Sequence, residues 1–80
     1  MSQLALSRRV NIAIQVADSL ARRRGLDPVR HAAHFARAWR NASAEDRRKF
    51  MVVHCAMKPD EIVFRQFVEA LEGRAERVRS

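Results

Sequence analysis

Phe50-Met51-Val52-Val53-His54-Cys55-Ala56-Met57 carries seven apolar residues in eight. Just upstream, Ser43-Ala44-Glu45-Asp46 reads as a helix start. A hydroxyl at the cap position accepts from an orphan N–H, and an acid three residues on answers it, Asp less well than Glu or Gln. A helix opening at Ser43 is charged at first and apolar on every side by Phe50. Because a helix apolar all round is buried all round, the spacing predicts a third helix over 44–57 at the centre of the fold.

Moving toward the N-terminus, Asp27-Pro28 supplies an N-cap and a first helical residue for a second helix over 28–40. Val29, Ala32, Phe35, Ala36 and Trp39 form its apolar stripe, with Arg30, His34, Arg37 and Asn41 opposite. A first helix is expected over about 2–24, where Leu6, Val10, Ala13, Ile14, Ala17, Leu20 and Ala21 share one face. Asp18 and Arg22 are spaced for an i,i+4 pair on its polar side. Arg22, Arg23 and Arg24 close this helix against its dipole, and Gly25 follows at the left-handed cap position.

Toward the C-terminus, Lys58-Pro59-Asp60-Glu61 breaks the chain and restarts it. A fourth helix over 59–72 then buries Val63, Phe64, Phe67, Val68 and Leu71 and stops near Gly73. Residues 74–80 alternate charges with little apolar content and are expected to be frayed or disordered. With only two Gly, two Pro and no Tyr in 80 residues, there is little material for hairpins. The expectation is therefore all-α: one domain over 1–73, a compact bundle of four helices. Phe35, Trp39, Phe50, Phe64 and Phe67 should fill most of its core. A core this small is marginal, so a homodimer through the first or fourth helix is also expected.

One cysteine, Cys55, excludes an internal disulfide and suggests a reducing compartment. Ser7-Arg8-Arg9 interrupts the first ten residues, leaving no apolar signal region, and no apolar run approaches the roughly 20 residues of a membrane span. A cytoplasmic protein is expected. Metal chemistry finds little support: His31 and His34 are three apart, and His54 and Cys55 lie about 100° apart on a helix, a poor match to zinc spacing. Cys55 falls in the most apolar window of the chain, where a free thiol acts as a small hydrophobe. No phosphate loop, Ser-His-Asp set or opposed carboxylate pair appears. No cofactor, metal or enzymatic activity is expected.

Charge is the informative signal. The net charge is +7, and nearly all of the excess lies between Arg22 and Lys49, where nine bases meet three acids. The bases are Arg22, Arg23, Arg24, Arg30, Arg37, Arg40, Arg47, Arg48 and Lys49, and they are the candidate binding residues. Guanidinium forks suit carboxylate and phosphate. The bland alternative is a solvated basic face, which is what charge runs usually are. A helix-turn-helix over helices two and three has a turn of fitting length but no turn glycine, and Glu45 and Asp46 sit where base contacts would be made. Trp39 and the phenylalanines fall on core stripes, not on a stacking platform. A membrane-surface helix would need bulky apolar residues that the core already claims.

The expected function is a non-catalytic binding protein. It would dock its basic face on a larger protein or ribonucleoprotein assembly, at an acidic or phosphate-binding surface, and modulate or inhibit it. Small phage or mobile-element inhibitors of host machinery, anti-CRISPR proteins among them, act in that manner. The alternative is a DNA- or RNA-binding transcriptional regulator using the same arginines on phosphates.

Overall fold

The computed structural model describes residues 5–79. It is all-α, a small bundle of four helices: α1 Leu6–Arg23, α2 Pro28–Asn41, α3 Ala44–Lys49 and α4 Glu61–Arg79, with a π-helical turn at Phe50–His54 between the last two. The expected start of α1 near residue 2 lies outside the described residues.

Local signals set most boundaries. At the end of α1, the Gly25 N–H donates to the Arg22 carbonyl (3.0 Å) and the Leu26 N–H to the Ala21 carbonyl (2.9 Å). This is a Schellman closure, and it needs Gly25 at φ +73°. The Asp27 carboxylate then accepts from the Val29 N–H (3.1 Å) and Pro28 opens α2. Ser43 accepts from the Asp46 N–H (3.1 Å) to start α3, and Asp60 accepts from the Ile62 N–H (2.8 Å) to start α4.

The core lies where α2 and α4 face each other, with α1 laid across both. From α1 come Val10, Ala13, Ala17 and Ala21, a small-residue strip that lets the helices approach closely. From α2 come Ala32, Ala36 and Trp39, and from α4 Val63, Phe64, Phe67, Val68 and Leu71. Phe67 is at the centre. Its ring meets Trp39 edge-on at 4.9 Å, Phe35 edge-on at 5.8 Å and Phe50 stacked at 5.7 Å, while Trp39 also meets Phe64 at 5.6 Å. Such pairs add about 0.5–1.5 kcal/mol each to the area they bury. The five aromatics expected in the core are all in this cluster.

Three expectations are corrected. First, the segment 44–57 is neither one α-helix nor central: α4 takes the middle. Met51 and Cys55 are buried and Phe50 is half-buried, but Val52 and Val53 are 52% and 67% exposed. A helix apolar all round needs neighbours on every side, and this one meets the core on a single side. There the backbone widens, with the Cys55 N–H donating to Phe50 (3.2 Å) and Met57 to Met51 (2.9 Å). Ala56 then closes the turn at φ +52°.

Second, α4 does not stop at Gly73 but runs on to Arg79, so residues 74–79 are helical. Gly within a helix costs about 0.5–1 kcal/mol against Ala. Two ion pairs flanking it, Glu72 with Arg40 and Arg74 with Asp18 (2.7 Å), offset that cost. Third, Asp18 therefore pairs with Arg74 across helices, not with Arg22 on its own.

Candidate functional site

The nine candidate bases come from three elements, the end of α1, α2 and α3. Arg22, Arg23 and Arg24 are exposed at the C-terminal end of α1, where the helix dipole favours cations. Arg30 is exposed in the first turn of α2, its Nε 4.0 Å from the Asp27 carboxylate, and Arg37 is exposed farther along the same helix. Arg48 and Lys49 end α3, beside the π-helical turn.

Arg40 and Arg47 have structural duties instead. Arg40 grips the Glu72 carboxylate with two bonds, Nε at 2.5 Å and Nη2 at 2.8 Å, joining α2 to α4. Arg47 donates from Nε to the Trp39 carbonyl (2.8 Å) and from Nη2 to the Arg40 carbonyl (2.9 Å), so it caps α2 from α3. Among the described residues, Arg22, Arg23, Arg24, Arg37, Arg48 and Lys49 make no ion pair or side-chain hydrogen bond.

Two further features escaped the sequence reading. Arg65, on α4, joins Arg40, Arg47 and Glu61 around an open cleft of about 340 Å³ above Trp39, Phe64 and Val68. Its position one residue after Phe64 was the available signal: a base beside a core aromatic borders whatever opening that aromatic floors. The second is the π-helical corner. Val52 and Val53 stand exposed there and, with Ala44, Glu45, Arg48 and Lys49, line a shallow groove.

The histidines and the cysteine separate. His31 and His34 have ring centroids 5.1 Å apart on α2, His31 leaning edge-on against Phe35. His54 lies on the exposed corner over Phe50. No group of three or more His, Cys, Asp or Glu among the described residues is placed to hold a metal ion. Burial pushes the Cys55 thiol up to about 11, so at neutral pH it is a protonated, apolar group and no nucleophile.

Electrostatics give a testable acid response. His31 is held below its ordinary 6.5, first by burial, then by the charges of His34 and Arg24. Glu72 is held below its ordinary 4.5, first by the hydrogen bond from Arg40. Both folded-state values are depressed, so both groups contribute stability that is present above the ordinary value and lost as pH falls through the folded one. Thermal unfolding followed by circular dichroism is expected to show two declines, one beginning below pH 6.5 and one below pH 4.5. His31→Gln should flatten the first and leave the second.

No helix among the described residues is long and apolar enough to cross a membrane. No family model, curated protein or solved structure matches this chain.

Proposed function

We propose that this chain is a non-catalytic, cytoplasmic binding module that docks its unpaired bases on an acidic surface of a larger protein assembly and modulates or blocks that assembly. Inhibition of host machinery, in the manner of small phage or anti-CRISPR proteins, is the form of action the proposal includes.

One observation carries the reading. Three acids are tied up in pairs that hold α4, while most of the candidate bases stand exposed and unpaired, as do Glu45, Asp46, Glu61 and Glu69. Asp18, Asp60 and Glu72 hold α4 through Arg74, Arg9 and Arg40, whereas six of the nine candidate bases have no partner among the described residues. Long cationic side chains held free cost little to keep in water and gain most from carboxylates fixed on a partner, where complementarity raises association rate and specificity. Arg40 and Arg47 leave the candidate set, since both are committed to holding helices together.

A nucleic-acid partner would use the same free bases, and salt separates the two readings. Random-sequence duplex and single-stranded DNA, each titrated by fluorescence anisotropy at 50 and 150 mM salt, are expected to show no saturable binding at the higher concentration. Saturable binding with a log–log salt slope near −0.9 per phosphate contact would replace the proposal with the regulator reading. For the protein reading, the Arg37→Glu/Arg48→Glu double variant is expected to keep its helix content and lose the partners that the unaltered chain captures by cross-linking.

A further inference from the structure

We propose that the π-helical corner is the apolar anchor of the docking surface: Val52 and Val53 enter a hydrophobic dimple on an acidic protein partner while Arg48 and Lys49 pair with carboxylates at its edge. This inference rests on the proposed docking of free bases on an acidic partner, and it adds the place where contact is driest.

Two exposed valines and an unusual backbone turn meet within seven residues. Two adjacent valines are 52% and 67% exposed although they belong to the most apolar run in the chain. Singly scattered apolar residues on a surface need no explanation, but an adjacent pair sharing a groove with Ala44, Arg48, Lys49 and the single acid Glu45 is an apolar patch with a net positive rim. The backbone beneath is a π-helical turn, a form found mostly as single turns and often at functional sites. The turn closes on Ala56 at φ +52°, where a residue with a Cβ is strained and glycine would be usual. An α-helical continuation would not need the wider Phe50–Cys55 and Met51–Met57 closures of this corner, which buries Met51 and Cys55 and leaves Val52 and Val53 facing outward.

The chemistry of the patch selects the partner. An apolar centre with a charged rim is the anatomy of a protein interface, in which a few well-packed residues dominate and rim charges steer. Valine has no flat π face, so it offers no stacking platform to a nucleobase. A second copy of this chain would bring two bases and one acid, Glu45, from each side across a two-fold axis, an excess of like charge that an acidic partner does not carry. Two valines are also too little to insert into a membrane interface, which needs a broad apolar face with Trp, Phe or Leu. What fits is a protein segment that presents apolar side chains beside Asp or Glu.

The test uses the full chain, labelled with nitrogen-15, and two synthetic probes of equal negative charge: an amphipathic helical peptide of Glu and Leu, and polyglutamate. The Glu/Leu peptide is expected to perturb the backbone amides of 48–54, and Val52→Ser/Val53→Ser to weaken its binding about tenfold while leaving polyglutamate binding unchanged. Both valines are exposed, so circular dichroism should show the variant folded. Arg48→Glu/Lys49→Glu should lose both probes at this corner. If both probes bind equally and the valine variant matches the parent, the apolar anchor is overturned while docking by charge stands. If neither probe binds at low salt, both are overturned. Concentration-dependent dimerisation abolished by the valine variant would overturn the proposal in favour of an interface between copies.

Discussion

Phe67→Ala is expected to lower the free energy of unfolding by about 3–5 kcal/mol, the range for truncating a core aromatic. The position justifies the upper part of that range. Phe67 is fully buried and its ring meets Phe35 and Trp39 of α2 and Phe50 of the π-helical turn. Its loss removes dispersion and edge-to-face contacts to two elements at once, and the neighbouring aromatics cannot collapse into the space without breaking their own pairings. A domain of this size has roughly 4–12 kcal/mol of total stability on the usual per-residue scale, so the variant should be partly unfolded near body temperature. Urea titration followed by the fluorescence of Trp39, the sole tryptophan, measures the effect beside the ring concerned. Val53→Ser serves as the control, since a surface change of this kind normally stays within 0.5 kcal/mol. A loss below 1 kcal/mol at Phe67 would mean that the aromatic cluster is not the centre of the fold.

That centre was legible in composition but not in position. The stripes of α2 and α4 could be read at 3,4 spacing because every apolar residue on them goes to one side, and Asp27-Pro28, Ser43 and Gly25 marked boundaries by local chemistry alone. The run from Phe50 to Met57 misled for a physical reason: apolar content on all sides predicts burial only where partners exist on all sides, and eighty residues supply them on one. Neither the π-helical closure nor the left-handed Ala56 has a composition signature, because both arise where the chain must leave the core and return at Asp60. Gly73 misled in the opposite direction. Its local preference is to end a helix, but Asp18 and Arg40 come from distant parts of the chain to hold the residues on either side. Charge followed the same pattern. The excess of bases was visible in the sequence, whereas the assignment of Arg40 and Arg47 to internal contacts depends on which helix ends lie next to each other.

Arg47 tests that assignment directly. Arg47→Ala is expected to cost about 1.5–3 kcal/mol, the range for hydrogen bonds made by a charged group. The guanidinium is half-buried and spans two successive carbonyls at the end of α2, with Nε on Trp39 and Nη2 on Arg40. The Trp39 carbonyl keeps a second donor, the Ala42 N–H at 3.2 Å, so the larger share of the loss falls on Arg40. Arg40 is also the residue that joins α2 to Glu72, and loosening its backbone weakens that bridge as well. Lysine separates charge from geometry: Arg47→Lys keeps the positive charge but cannot reach two carbonyls with one planar fork. Stability should therefore fall for the lysine variant nearly as far as for alanine, while binding to an acidic probe, measured below the unfolding transition, should be unchanged in both. The opposite result, full stability in both variants and binding lost only with alanine, would return Arg47 to the docking surface and make its contacts with α2 incidental.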